Sequence, residues 1–139
     1  MFTHQTLLRV RYAETDQMGY VYYGQYATYF EVARVEAMKA LGISYRSLEE
    51  AGTMMPVTDY HIKYKKPALY DEEIRIQTDI QELPAFRIRF HYSSYNEKNE
   101  LLNTAETELV FIDKVRNRPV KAPELLLQAL KPYFKSTGI

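Results

Sequence analysis

The chain has 139 residues, with 18 Lys and Arg against 18 Asp and Glu, so its formal net charge is zero. It contains no cysteine, which excludes disulfides, thiolate metal ligands and a cysteine nucleophile. The balanced charge argues against a nucleic-acid partner, because nucleic-acid-binding proteins usually carry a basic excess. We expect a single domain over residues 1–139, since 46% of its residues are hydrophobic and can supply one core.

No apolar segment approaches the roughly 20 residues that a membrane-spanning helix requires, and the first residues lack the layout of a signal peptide. We therefore expect a cytoplasmic protein with no integral membrane segment. Tyrosine is the unusual component of the composition, because the chain has 13 of them and their distribution is uneven. Six fall between residues 12 and 29, namely Tyr12, Tyr20, Tyr22, Tyr23, Tyr26 and Tyr29.

The first elements are a strand, a loop and a long helix. Alternation of apolar and polar residues predicts a half-buried strand over residues 6–12, with Tyr12 on its inner face. A loop over residues 13–22 follows. Apolar residues then recur at helical spacing over residues 23–41, on more than one face, so we expect this helix to be surrounded by other structure. Gly42 is typical of the position just beyond a helix end.

The second half of the chain is predicted to form a sheet. After a short helix over residues 44–51, capped by Ser44, the apolar period changes to two. Short connections between the successive strands indicate an antiparallel meander, and a last helix is predicted over residues 123–130. The order of elements predicts an α+β fold in which one curved antiparallel sheet wraps around the long central helix. The four strands of this half are predicted over residues 60–65, 74–80, 86–92 and 101–113.

The histidines do not form an evident catalytic site. His4 lies near the N-terminus, whereas His61 and His91 fall on the polar faces of predicted strands, with no serine nucleophile near them in sequence. A position on an exposed or interface face of the sheet explains His61 and His91 better than a catalytic role does. No carboxylate spacing supports a metal site, so we expect neither a metal nor another cofactor. Glu31 lies three residues before Arg34, and an ion pair within the helix explains it better than a catalytic role for this carboxylate does.

The loop before the central helix is the most informative segment. Asp16 lies seven residues before the first helical turn, and Gly19 between them allows the chain to fold back. Tyr22, Tyr23 and Gly24 occupy the helix start, where Ser, Thr, Asp or Asn usually accepts the free N–H groups. A carboxylate that faces such donors can attack an acyl carbon or activate water while the N–H groups stabilise the oxyanion. The simpler interpretation is that Asp16 caps the helix from a distance.

Two motifs stand out in the sequence. The first is D-x-x-G-x-V-Y-Y-x-x-Y at residues 16–26, continued by F-E-x-A-R at residues 30–34, and the second is Y-x-x-P-x-x-Y-D-E at residues 64–72. Together with the element order, they resemble the hot-dog-fold acyl-CoA thioesterases, in particular the 4-hydroxybenzoyl-CoA thioesterase and YbgC-like branch. The resemblance implies the hot-dog fold, hydrolysis of an acyl-CoA or acyl-carrier-protein thioester to acid and thiol, and no cofactor. It also implies a homodimer or homotetramer with the site at the subunit interface.

The resemblance implies roles for individual residues. Asp16 matches the catalytic aspartate, as nucleophile or general base, and the backbone N–H of Tyr23 matches the donor that polarises the thioester carbonyl. Many YbgC-like proteins carry His at the position of Tyr23, whose phenol does not exchange a proton near neutral pH. The substrate-binding candidates are Gly19, Tyr22, Lys65 and Lys66.

Phosphate binding is the weakest part of the resemblance. Some relatives hold the nucleotide phosphates with basic residues in the turn that corresponds to residues 82–85, where this sequence has none. That task would then fall to Lys63, Lys65, Lys66 or the basic segment over residues 114–135. Two other functions stay open on the same fold. One is a non-catalytic module that binds acyl or aromatic ligands, and the other is a dehydratase, which needs a histidine base that the Asp16 loop lacks.

Overall fold

The computed structural model describes residues 1–134; residues 135–139, the end of the expected domain, lie outside this range. Single 3₁₀ turns occur at Tyr12–Glu14, Tyr23–Gln25 and Lys131–Tyr133. No helix in this range is long and apolar enough to cross a membrane. The elements are β1 (Phe2–Arg9), α1 (Tyr26–Ala40), α2 (Tyr45–Glu50), β2 (Thr53–Met54), β3 (Val57–Tyr64), β4 (Glu73–Ile80), β5 (Arg87–Tyr95), β6 (Leu101–Val110), β7 (Ile112–Asp113), β8 (Arg118–Pro119) and α3 (Glu124–Leu130).

Five strands form one antiparallel sheet in the order β1-β4-β5-β6-β3, and a small ladder joins β2, β7 and β8. Burial alternates strictly along β4, from buried Ile74 to buried Ile80. Because side chains alternate between the two faces of a strand, this pattern gives the sheet one apolar face. Helix α1 lies on that face, which confirms the predicted α+β fold with a sheet around a central helix.

Helix α1 packs on the sheet through one face. The ring of Phe30 stacks on Tyr92 of β5 at 4.5 Å between centroids. Ala33 and Ala37 are fully buried, and such small side chains allow a close approach of helix and sheet. The opposite face is open, since Val32 is 41% exposed. Within residues 1–134, the sheet therefore covers one face of the helix and leaves the other face exposed.

The first strand and the central helix are displaced from their predicted bounds. β1 begins at Phe2 and ends at Arg9, paired in register with β4. Tyr12 lies in the following 3₁₀ turn and is 78% exposed, so its prediction as an inward-facing residue is wrong. The strand ends here because the side chain of Glu14 accepts the backbone N–H of Arg11 at 2.8 Å and turns the chain. Helix α1 proper begins three residues later than predicted, after a 3₁₀ turn.

The predicted helix end at Gly42 and the predicted helix cap at Ser44 are confirmed. Gly42 has φ +83° just beyond α1, and the Oγ of Ser44 accepts the N–H of Ser47 at 3.0 Å at the start of α2. The predicted strand over residues 101–113 is divided, because the chain leaves the large sheet at buried Phe111 and continues as β7. A uniform apolar run carries no sign of such a change of sheet.

The predicted meander is confirmed only for β4, β5 and β6. β3 pairs with β6 rather than with β4, so residues 65–72 form a crossing connection and not a hairpin. Its turn-forming residues fit either connection, so sequence alone does not distinguish them. The N–H of Val21 donates to the oxygen of Ala68 at 2.9 Å, and that of Tyr70 donates to Gly19 at 3.1 Å. The connection therefore lies against the loop that carries Asp16.

Candidate active site

A cavity of about 320 Å³ opens beside the start of α1. Two parts of the chain that are distant in sequence contribute to its wall: residues 16–26, from the loop after β1 to the start of α1, and the end of β3 with the crossing connection. The structure thus brings together four of the six predicted site residues. The lining residues are Asp16, Tyr20, Val21, Tyr23, Tyr26, Tyr64, Lys65, Lys66 and Pro67.

Asp16 is held by a turn that its own carboxylate closes. Its Oδ1 accepts the N–H groups of Met18 at 2.9 Å and Tyr20 at 3.2 Å. Gly19 completes the turn with φ +78°, a conformation that glycine adopts without a Cβ penalty. The other oxygen, Oδ2, accepts no hydrogen bond from residues 1–134. One oxygen is therefore fixed while the other remains available to water or substrate, and Asp16 does not cap the helix.

The start of the helix carries no side-chain cap, as predicted. The N–H of Tyr22 donates to the oxygen of Glu14 at 2.9 Å, whereas the N–H of Tyr23 has no acceptor among the described residues. The hydroxyl of Tyr64 donates to the carbonyl oxygen of Tyr23 at 3.1 Å and links this turn to β3. The free N–H of Tyr23 lies at the positive end of the helix dipole and can donate a hydrogen bond to an oxyanion.

Glu14 is a site residue that the sequence analysis missed. It is only 5% exposed, and its carboxylate accepts the Tyr29 hydroxyl at 2.8 Å and the Arg11 guanidinium at 2.8 and 3.0 Å. Burial alone would raise the pKa of Glu14, but the hydrogen bonds from Arg11 and Tyr29 outweigh it and hold the pKa below its ordinary value. Glu14 thus joins the Asp16 loop to α1. The only sequence signal was its spacing of three from Arg11.

The two candidate lysines differ in their surroundings. The ammonium of Lys66 pairs with Glu100 and, as the largest of several influences, holds the pKa of that carboxyl below its ordinary value. The ammonium of Lys65 has no ion pair with residues 1–134, which leaves it available to a phosphate. No part of the basic segment over residues 114–134 lines the cavity, and residue 135 lies outside the described range.

Two candidates stand outside the cavity wall. Gly19 shapes the turn of Asp16 without lining the cavity. Tyr22 is half exposed, and its ring packs at a tilt of 36° against the ring of Tyr23, with 4.7 Å between centroids. A Cβ on Gly24 would lie 2.7 Å from the Tyr22 ring, so only glycine at this position leaves room for the ring as it is placed. Their link to substrate binding is therefore indirect.

The histidines lie away from the cavity. His61 and His91 lie on the outer face of the sheet, as predicted. Their ring nitrogens are 3.6 and 4.0 Å from the carboxylate of Glu106. His4 belongs to β1. Residues 1–134 hold no cluster of three His, Cys, Asp or Glu that could bind a metal ion. The expected ion pair between Glu31 and Arg34 is not formed within 4 Å in this range, so that expectation is wrong.

Comparison with known proteins places the chain in a family. Residues 10–130 match the model of the thioesterase-like superfamily. The chain is 39% identical over 114 residues to YneP of Bacillus subtilis, named as a candidate acyl-CoA thioesterase, covering 82% of this chain and 83% of YneP. It is 30% identical over 124 residues to the acyl-CoA thioester hydrolase YbgC of Escherichia coli, covering 89% and 92%.

Solved structures agree with this relationship. The structure of a DHNA-CoA thioesterase from Staphylococcus aureus superimposes with a TM-score of 0.83 at 39% identity, covering 96% of this chain and 85% of that one. A Thermus thermophilus protein, TT1821, superimposes with a TM-score of 0.86 at 33% identity, covering 92% and 97%. The chain therefore belongs to the thioesterase-like superfamily and has the hot-dog fold of its thioester hydrolases.

Proposed function

We propose that the protein hydrolyses the thioester of an acyl-CoA, or of an acyl-carrier protein, to the free acid and the thiol. One observation carries this proposal: the unoccupied Oδ2 of Asp16 and the unpaired N–H of Tyr23 belong to residues that line the same cavity. Acyl transfer needs this combination of an attacking or proton-accepting group and an oxyanion donor. The relatives YneP and YbgC, whose names include acyl-CoA substrates, support the choice of thioester.

The reaction follows from the two groups. The thioester carbonyl oxygen accepts the N–H of Tyr23, which draws electron density from the carbonyl carbon. Asp16 then either attacks this carbon to form an acyl anhydride or removes a proton from a water that attacks it. The C–S bond breaks as the tetrahedral oxyanion collapses, and the thiolate leaves. In the first route, water hydrolyses the anhydride and restores the carboxylate.

The same proposal assigns the remaining candidates. Lys65 supplies a positive charge for the phosphates of CoA at the edge of the cavity, with the Lys66–Glu100 pair beside it. The exposed rings of Tyr22 and Tyr23 lie next to the cavity, where a second copy of the chain would cover them. We accordingly propose a homodimer, with the site completed at the subunit interface.

Substitution of Asp16 tests the function. We expect D16N and D16A to lower kcat by about 10²–10⁴-fold, because that is the usual effect of removing a general base or its equivalent. The measurement is release of free thiol from a panel of acyl-CoAs, followed with a thiol-reactive dye. Wild-type rates in either variant would exclude Asp16. Binding of the ligands by the wild type without thiol release would instead indicate a non-catalytic module.

Asp113 provides a matched control for these variants. Its Oδ1 also accepts two backbone N–H groups, from Val115 at 2.9 Å and Arg116 at 3.0 Å, far from the cavity. D113N therefore loses a turn-closing charge without touching the proposed site, and its kcat is expected to equal that of the wild type. A single turnover in heavy-oxygen water separates the two routes. Label incorporated into Asp16 indicates the nucleophilic route, because only an anhydride that water opens at its aspartyl carbon places the label there.

A further inference from the structure

A second cavity, of about 250 Å³, lies between α1 and the edge strand β3. Arg34 and Glu31 of α1 contribute to its wall, together with Val57 and Tyr60 of β3 and Thr107 of β6. It shares no residue with the cavity of Asp16, and nothing in the proposed reaction uses it.

Arg34 is an unusual residue in this position. It is 7% exposed, its Nε is buried without an acceptor, and no carboxylate lies within 4 Å of its guanidinium among residues 1–134. A buried charge that is neither paired nor fully hydrogen-bonded is costly, so such groups normally have an anionic partner. The hydroxyls of Tyr45 and Tyr92 face the guanidinium, but no carboxylate among residues 1–134 does, so Arg34 lines the cavity without an anionic partner.

The neighbouring hydroxyl groups are donors as well. The hydroxyl of Tyr60, in the cavity wall, is buried without a partner among residues 1–134, and the buried hydroxyl of Tyr45 faces the Arg34 guanidinium. Burial raises the pKa of each of these two tyrosines to about 12, so both hydroxyls stay protonated and can donate. A cluster of unpaired donors calls for acceptor oxygens, and a carboxylate offers only acceptors.

The two cavities lie along the same pair of elements, α1 and β3. Tyr26 of α1 lines the first cavity and Ala27 lines the second, while β3 contributes Tyr64 to the first and Tyr60 to the second. Tyr60 and Tyr64 lie on the same face of β3, about 13 Å apart along an extended strand. An extended chain of about ten bonds covers that distance.

We propose that Arg34 and Tyr60 bind a carboxylate at the far end of the acyl group, so that the preferred substrates are acyl-CoAs of medium length whose chain ends in a carboxylate. This inference rests on the proposed thioesterase function. Glu31 lines the same cavity and is exposed, so its charge opposes an anion at the mouth. The carboxylate must therefore reach past Glu31 to the buried guanidinium, which a long acyl chain permits.

Matched substrates test the proposal. We compare kcat/KM for acyl-CoAs of equal length that end in either a carboxylate or a methyl group. The wild type is expected to prefer the carboxylate form, and R34M is expected to lose about 10–100-fold on that form alone, because one charged hydrogen-bonded pair has that worth. Y60F, which removes one hydroxyl, is expected to show a smaller loss in the same direction. R116M, a change at an exposed arginine in the β7–β8 turn, is the control and leaves both values unchanged.

The same experiment separates failure of the inference from failure of the function. Equal kcat/KM for the two forms, or equal losses in R34M, would overturn the inference and leave the thioesterase intact. If E31Q lowers Tm without changing the preference, Glu31 is the partner of Arg34 and the inference is wrong. If no thioester is hydrolysed, the proposed function is wrong. Calorimetry with the free dicarboxylic acid then tests the carboxylate site on its own. Binding that R34M abolishes supports the carboxylate site, and absence of binding refutes it.

Discussion

At the scale of single residues, Glu14 determines how well Asp16 can be placed. Its carboxylate binds Arg11 on one side and Tyr29 on the other, and its carbonyl oxygen accepts the N–H of Tyr22. The loop with the carboxylate and the turn with the oxyanion donor are therefore tied to the same residue. A buried group with this many hydrogen bonds contributes stability as well as geometry.

We expect E14Q to lower the free energy of unfolding by about 1.5–3 kcal/mol at neutral pH, since it weakens hydrogen bonds that involve a charged group. Urea unfolding followed by circular dichroism measures the change. E36Q is the control, because Glu36 forms an exposed pair with Lys39 at 3.6 Å on the same protein, and such pairs contribute at most about 0.5 kcal/mol. Equal effects of the two substitutions would contradict the role of Glu14.

The contribution of Glu14 to the free energy of unfolding is expected to decrease as the pH falls. Because the folded-state pKa of Glu14 is lowered, its contribution to stability is present above the unfolded pKa of about 4.3 and is lost as the pH falls through the folded value. The wild type should therefore lose stability more steeply than E14Q on acidification below about pH 5. If stability falls with pH in the same way in the wild type and in E14Q, Glu14 does not form the charged hydrogen bonds with Arg11 in solution.

At the residue scale, the sequence predicted the missing side-chain cap at the helix start, which follows from local spacing. Asp16 and the uncapped Tyr23 are recognisable because a loop carboxylate and a missing cap lie close together in the chain. Glu14 and Arg34 were missed or misread because their roles depend on burial. The sequence shows Arg34 three residues after Glu31, but not that its guanidinium is enclosed between α1 and the sheet.

At the scale of elements, the start of α1 is the part of the helix to which the proposed reaction assigns a role. A 3₁₀ turn over Tyr23–Gln25 precedes the α-helical residues, and the N–H of Gln25 closes it by donating to Tyr22 at 2.9 Å. The first N–H of this turn has no structural task in residues 1–134. Helical periodicity extended the predicted helix back to residue 23, because periodicity does not distinguish a tight first turn from an α-helical one.

Y23P and Y23A separate the backbone donor from the side chain. Proline fits this position, because Tyr22 has φ −58° and ψ 132°, the region that a residue before proline requires, and the lost N–H makes no internal bond. We expect Y23P to stay folded but to lose about 10²–10³ in kcat, the usual effect of removing an oxyanion donor. Y23A keeps the N–H and should lose far less.

Steady-state kinetics and thermal melts of the two variants provide the check. A Tm close to the wild type in Y23P shows that the loss of kcat comes from the donor and not from unfolding. If Y23A and Y23P lose kcat equally, the phenol ring rather than the N–H of Tyr23 matters, and the oxyanion assignment is wrong.

At the scale of the whole molecule, β3 is one of the two edge strands of the large sheet and the more exposed of the two. It pairs with β6 on one side and with no described strand on the other. Val57 on β3 is 44% exposed, and Val32 on the nearby open face of α1 is 41% exposed. An edge strand with free backbone groups beside exposed apolar residues favours pairing with another chain. A second copy on a twofold axis would cover the strand, the helix face and the Arg34 cavity together.

V32E tests this arrangement. We expect the wild type to be a homodimer and V32E to shift it towards monomer, because a carboxylate in an apolar interface would be buried without a partner. Val115, which is 90% exposed in the turn between β7 and β8, provides the control variant V115E, which should remain dimeric. Sedimentation velocity over a dilution series gives the oligomeric state, and thiol release at the same concentrations gives the activity. Because the proposed site is completed by the partner, kcat should fall with the dimer fraction. A monomeric V32E with wild-type kcat would place the whole site within one chain.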